Sequence, residues 1–397
     1  MHTIHQRLQH LRERYQQELH EHVIPFWLNH SLDKTNGGYF NCLDRDGTVY
    51  DTTKHLWLQG RQVWMMSKLY NTYGEQKYLD AAKLGADFLR KYGKTPENRV
   101  YFALTQEGKP FFMQRKLFSE CFYAMALAEY ARACHSSEIK QEAREMLQTI
   151  FRYADDITLV GRPVFSGAPK TSSLAIPMIL LNLIAEVAEP HETTFADREQ
   201  WCVTQLDKHI RPELKRVLET VNADGSLLDS PEGRLLNPGH AIEAGWFLLD
   251  YATKKNNTEL KQKAFNMINW SMDHGWDDQH GGLFYFQDLK GFSPVQLEWN
   301  MKLWWPHCEA LVALIKCYAD TGDKDYLERF EIYTDYTFLN FSDPEHGEWY
   351  GYLDRHNTVT HRFKGGPYKG CFHVPRALFL CLNELDKLTK PSLTEGQ

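Results

Sequence analysis

Six stretches of this chain are apolar on every face over helical lengths, and nothing else in it constrains the fold as much. They run over Trp57–Tyr70, Leu117–Ala133, Leu174–Val187, Ala241–Tyr251, Leu303–Tyr318 and Val374–Leu388. A helix without a polar face must be buried. The six begin about 55–70 residues apart, and each interval holds a more polar helical stretch. Leu8, Leu11, Tyr15, Leu19 and Val23 form one amphipathic stripe, which Pro25 is expected to stop. Leu79, Ala82, Ala86 and Leu89 form a second; Ala143, Met146, Leu147, Ile150 and Phe151 a third; Leu260, Ala264, Met267, Ile268 and Met272 a fourth. Six buried helices alternating with six amphipathic ones, counting the N-terminal helix, describe a repeated αα-hairpin closed into a ring. The pattern predicts an all-α fold, an (α/α)6 barrel with six inner and six outer helices.

The connections carry a second repeat. Asn36-Gly37-Gly38-Tyr39-Phe40 is echoed by His280-Gly281-Gly282-Leu283-Phe284 and, more loosely, by His346-Gly347-Glu348-Trp349-Tyr350. Short β-prone runs follow, with turns at Asp46-Gly47 and Asp288-Leu289-Lys290-Gly291, and predict β-hairpins gathered on one rim. No linker divides the chain, so residues 1–390 read as one domain and 391–397 as a loose tail. A hydrophobic share of 43% with 24% charged residues excludes disorder as the main state. The net charge of −7 argues against a nucleic-acid or anionic-membrane partner. The chain has no apolar run of about 18 residues and no apolar stretch at its start, so neither a membrane span nor a signal peptide is expected. The 8 cysteines are scattered without a CxxC pair, which suits reduced thiols in a cytoplasmic protein.

Three inner helices start alike. Asn237-Pro238-Gly239-His240 sets Asn237 as cap and His240 in the first turn; Trp304-Trp305-Pro306-His307-Cys308-Glu309 and Cys371-Phe372-His373-Val374-Pro375 follow the same grammar. In a barrel these starts share one end, so their side chains converge. The positive end of a helix disfavours imidazolium and holds a histidine neutral, ready to act as a base. Glu243, one turn after His240, is placed to orient it. Two histidines facing each other across a pocket suit proton removal from one face of a carbon and delivery to the other. At His307 Glu309 competes for the inward direction, so a structural or supporting role is expected there. Trp304 reads as a pocket wall. Arg61, charged within an apolar inner helix, reads as pocket-facing. No HxH or HExxH spacing supports a metal site, and none is expected.

WLQGRQVWM (57–65), NPGHAIEAGWFLL (237–249), KLWWPHCEAL (302–311) and GCFHVPRALF (370–379) together resemble the N-acylglucosamine 2-epimerase family, which includes renin-binding protein. The resemblance implies an (α/α)6 barrel, a homodimer, and interconversion of N-acetylglucosamine and N-acetylmannosamine. It implies His240 and His373 as the proton-transfer pair, with Arg61 and Glu309 as the functional arginine and glutamate. It also implies ATP as an allosteric activator that is not consumed, with no consumed cofactor. The glycine-bearing run from Gly161 and Arg162 to Gly167 and Lys170 is a candidate phosphate cradle, although it lacks a P-loop ending. A leucine heptad is not sustained, since Leu174 and Leu181 are followed by Ala188, which argues against renin-type binding. Three other readings stay open: a cellobiose- or mannose-type epimerase or isomerase, a glycoside hydrolase using Glu243 and Glu309, and a non-catalytic binding protein.

Overall fold

The computed structural model describes residues 3–390, so the 391–397 tail lies outside the described residues. The helices are α1 (Ile4–Gln17), α2 (Ile24–His30), α3 (Leu56–Tyr73), α4 (Gln76–Tyr92), α5 (Phe118–Cys134), α6 (Ser137–Asp155), α7 (Ala175–Val187), α8 (Ala196–Asp207), α9 (Pro238–Lys254), α10 (Thr258–Gly275), α11 (Trp304–Thr321), α12 (Lys324–Phe341) and α13 (His373–Thr389). The odd-numbered helices from α3 to α13 form the inner ring, each packed on the next. Tyr73 of α3 meets Phe379 of α13 edge to face at 6.3 Å and closes it. Outside, α4, α6, α8, α10 and α12 each cover the inner helix that precedes them, and α1 covers α13. The fold is the (α/α)6 barrel that the alternation of buried and amphipathic stretches predicts.

The amphipathic stripes become the contact faces. In α10, Asn257 caps the first turn by accepting from Leu260 N–H, and Ala264, Met267, Ile268 and Met272 are buried against α9. Pro25 does not stop the first helix. A π-helical turn over Glu18–Val23 re-phases the hydrogen-bond ladder, so proline falls in the first turn of α2, where a missing N–H costs little.

Short antiparallel strands line the rim where the inner helices begin. Cys42–Leu43 pairs with Val49–Asp51 around Asp46-Gly47, as the hairpin reading expects. Gln287–Asp288 differs: it pairs with Leu235–Leu236 rather than with a local partner. The chain after Gly291 does return, and Tyr285 and Phe286 N–H donate to the Met301 and Trp299 carbonyls at 3.1 and 3.0 Å, but through an irregular loop that forms no second strand.

The glycine repeat marks a buried ion-pair staple used three times. Lys54 Nζ donates to Asp33 at 2.8 Å and to the Gly37 carbonyl at 2.5 Å. Lys302 donates to Asp277 at 3.0 Å and to the Gly281 carbonyl at 2.6 Å. Lys364 lies 3.0 Å from Asp343 and donates to the Gly347 carbonyl at 2.9 Å. All three lysines have 0% exposure. Each staple ties the turn that follows an outer helix to the rim segment leading into the next inner helix. A neighbouring hairpin adds a second donor: Arg355 reaches Asp277 at 3.1 Å, and Arg45 reaches Asp343 at 2.8 Å. The Arg45 contact joins the first repeat to the last. The glycines take left-handed backbone, with Gly37 and Gly281 at φ 85° and 73°. In the third repeat Glu348 holds the same conformation, and its carboxylate is fixed by buried Lys369 at 2.7 Å and by Trp27.

Removing one partner strands the other charge in a dry interior, which is the costly case. Lys54→Met, which leaves Asp33 without a basic partner among the described residues, is therefore expected to lower unfolding free energy by about 3 kcal/mol or more. Lys83→Met, which breaks an exposed pair with Asp87 on α4, is expected to cost about 0.5 kcal/mol or less. Urea denaturation of the two variants checks the contrast.

Candidate active site

A cavity of 630 Å³ opens at the rim where the inner helices begin, and all six inner helices line it. It holds His240, Glu243, Arg61, Trp304, Trp305, His373 and Arg376. Asn237 caps α9 through Oδ1, which accepts from His240 N–H at 3.2 Å and so sets the histidine in the first turn. Gly239 matters beside it, because a Cβ there would lie 2.6 Å from the Trp305 ring. The indole therefore packs against both histidines, 5.1 Å from the His240 ring and 5.9 Å from the His373 ring.

Each histidine is gripped from behind by a carboxylate. Nδ1 of His373 lies 2.8 Å from Glu309 Oε1, and Nδ1 of His240 lies 3.1 Å from both oxygens of Glu219. Neither Nε2 has a hydrogen-bond partner among the described residues. Glu309 is fully buried; it also accepts from Arg376 at 2.6 Å and from the Trp246 indole at 2.9 Å. Glu243 accepts from Arg376 at 2.7 Å. The expected partnership of Glu243 with His240 is thus corrected. Both side chains point into the cavity side by side, and the arginine is the stronger partner for the carboxylate. Arg376 supplies the positive charge for the cluster of Glu243, Glu309 and His373, whose ligand atoms lie within 4.8 Å of one another.

The two rings sit in opposite fields. Burial, then Arg376 and Arg61, push His373 well below the ordinary histidine value. Burial also opposes charge on His240, but Glu219 outweighs it, with help from Glu243 and Glu309, and raises the ring above that value. The helix-start argument for a neutral histidine therefore fails at His240, where a full carboxylate charge exceeds a partial helix charge. Such a split is what separates an acid from a base in one pocket.

Arg61 stands over the Phe122 ring at 4.0 Å and near Trp57 and Phe372. Its Nε is buried without an acceptor. Burial and then Arg376 pull it down to about 9, which leaves it charged at neutral pH. The Trp304 indole N–H is likewise buried without a partner.

His307 is not part of the cavity lining. Its Nε2 accepts from Leu283 N–H at 2.9 Å and its Nδ1 donates to the Leu303 carbonyl at 2.6 Å. With both nitrogens committed to backbone and the ring fully buried, its role is structural, and burial pushes it down to about 3. Gly161, Arg162, Gly167 and Lys170 lie on an exposed loop and are not among the cavity-lining residues.

Sequence reasoning missed Glu219 and Arg376. Arg376 carries the signal that exposed Arg61, a charge inside an apolar inner helix, and stands one turn after His373. Glu219 carries none: it precedes a three-residue strand, Thr220–Asn222, and reaches His240 only through the fold.

The N-acylglucosamine 2-epimerase (GlcNAc 2-epimerase) family model matches residues 38–377. The N-acylglucosamine 2-epimerase of Mus musculus is 46% identical over 94% of this chain and 91% of its own length. That of Homo sapiens is 45% identical over 96% of this chain and 91% of its own. The solved cellobiose 2-epimerase from Bacillus thermoamylovorans superposes with a TM-score of 0.82 at 21% identity, covering 96% of this chain and 100% of that one, a likeness of fold. The chain belongs to the N-acylglucosamine 2-epimerase family.

Proposed function

We propose that this chain interconverts N-acetylglucosamine and N-acetylmannosamine by inverting C2, with His240 and His373 as the two proton-transfer groups. The observation that supports this most is the matched pair of rings. Each has Nδ1 held by a carboxylate and Nε2 free, and one indole packs against both. Once the sugar ring opens, C2–H lies alpha to the C1 aldehyde and becomes acidic. One histidine takes that proton, and the C–H electron pair delocalises onto O1 as an enolate. The other histidine returns a proton to the opposite face of C2, and the ring closes. Arg61, charged and without an acceptor, is the group to stabilise the oxyanion. Glu309 holds and orients His373 rather than touching sugar.

The glycoside hydrolase reading loses support here. Glu309 is fully buried with both oxygens engaged, and Glu243 is clamped by Arg376. Glu309 is therefore not free to protonate a glycosidic oxygen or attack an anomeric carbon, and without it the pair of carboxylates that reading needs is incomplete. Epimerisation of a sugar with a free C2 hydroxyl shares the proton chemistry, and a substrate panel with cellobiose and mannose separates it. ATP activation, a homodimer and a cytoplasmic location belong to the same proposal, supported by the family resemblance. Among the described residues no helix is long and apolar enough to cross a membrane.

N-acetylmannosamine incubated with the enzyme in D2O is expected to give product deuterated at C2. Recovery of fully protonated product, or of no product, would contradict the reading. His240→Ala and His373→Ala are each expected to lower kcat for epimerisation by about 10²-fold or more. Arg61→Met is expected to lower kcat by about 10²-fold with a smaller effect on KM, because the lost contact strengthens as the oxyanion forms. Steady-state kinetics on the three variants checks both. A titration of rate against ATP, with Arg162→Ala and Lys170→Ala alongside, tests the exposed loop as a phosphate site.

A further inference from the structure

We propose that Glu219 is a positioning residue for the reaction: by gripping Nδ1 of His240 with a carboxylate that no arginine or lysine cancels, it makes His240 the proton-donating partner of the pair. The proposal rests on the two-histidine reading of the site and adds a division of labour between the rings.

The two histidine–carboxylate pairs look alike at the contact and differ one step behind it. Behind His373, the Glu309 charge is met by the Arg376 guanidinium at 2.6 Å, and the same guanidinium stands 3.4 Å from Nδ1 of His373. Around His373 the two cations Arg376 and Arg61 balance the two carboxylates Glu309 and Glu243, so no surplus negative charge holds a proton on the ring. Behind His240, Glu219 lies at salt-bridge distance from no other basic side chain among the described residues. Its neighbour His209 is buried with Nδ1 on the Leu218 carbonyl at 2.8 Å, and burial keeps that ring below the ordinary histidine value. The Glu219 charge is therefore left for His240.

The carboxylates that act on His240 favour a charged ring, and two cations in the same cavity oppose them. Glu219 meets it from the strand side, Glu243 from its own helix α9, Glu309 from α11, and the opposing cations Arg376 and Arg61 come from α13 and α3. Burial lowers the ring, and the three carboxylates together override it. Glu219 is itself held in place by backbone: its carbonyl accepts from Leu174 N–H at 2.9 Å, just before strand Thr220–Asn222 pairs with Thr171–Ser173. It does not line the cavity, so it acts through His240 and not on sugar.

In the active form one proton is shared between two rings. It rests on His240, while His373 is neutral and free to take the C2 proton. Bond making and breaking then balance: C2–H is lost to Nε2 of His373, and the proton on Nε2 of His240 is gained by C2 on the other face. The products leave His373 protonated and His240 neutral, the starting state for the reverse direction. Because both directions use the same singly protonated pair, their kcat/KM profiles share one bell with macroscopic limits.

Removing the Glu219 charge lowers the affinity of His240 for its proton, so the pair loses its last proton at lower pH. Glu219→Gln keeps the shape and removes the charge. Its alkaline limb of kcat/KM is expected to move down by about 1 pH unit or more in both directions, with KM little changed. Glu219→Asp keeps the charge and is expected to restore the limb. A limb that stays put while kcat/KM falls uniformly across pH would overturn the proposal and leave Glu219 a structural residue. If Glu219→Gln fails to fold, NMR titration of the His240 ring in the unmodified enzyme decides. An apparent value above that of an unperturbed histidine supports the proposal, and one at or below it overturns it. The same titration stands even if no C2 deuterium exchange is found, a result that would instead defeat the two-histidine reading.

Discussion

The site depends on one buried guanidinium. Arg376, 3% exposed, bonds Glu243 at 2.7 Å and Glu309 at 2.6 Å and thereby lets two carboxylates and a neutral imidazole share a dry space. Without it two negative charges would face each other in low dielectric, and at least one would have to take up a proton. With it, Glu309 stays available to hold His373 by Nδ1, and the ring presents Nε2 to the cavity. The same positive charge depresses His373, so in the proposed reaction the arrangement that makes the site possible also makes its base. The unmatched Glu219 on the other side makes the two histidines unequal.

The barrel supplies the geometry that this chemistry needs. Inner helices begin at one rim, and their first turns bring His240, Glu309 and His373 from α9, α11 and α13 to one place. The rim is held by lysines buried with no exposure, each bonded to an aspartate and to a glycine carbonyl of the preceding turn. These staples leave the helix starts fixed where the cavity needs precision, while the apolar seams between helices provide the bulk of the stability. Gly239 adds a local condition, since only a residue without Cβ lets Trp305 pack where it touches both rings.

Much of this is legible in the sequence, for reasons that also explain the rest. A helix apolar on all faces has one place to go, so the ring and its inner helices follow from pattern alone. Asn237 and Pro238 announce a helix start, and Arg61 stands out because a charge in an apolar helix must have a partner or a task. His307 shows the limit: its spacing equals that of a site residue, but its ring turns sideways to the Leu303 carbonyl and Leu283 N–H. Glu243 and His240 share a helical face, yet sharing a face toward a cavity is not bonding to each other, and each finds a partner from another element. Glu219 lies 21 residues before His240 in a connection with no helical period, so only the folded chain reveals it. Pro25 misled because a π-turn restores a ladder that proline would otherwise break.

The most direct measurement of the central claim follows C2 isotope exchange separately from epimerisation in single-histidine variants. In the proposed reaction each epimer presents its C2–H to one ring only. In His240→Ala, exchange in D2O should continue from one epimer alone, with epimerisation lost. In His373→Ala it should continue from the other epimer alone. Exchange from both epimers in either variant, or full epimerisation in both, would contradict two histidines working from opposite faces.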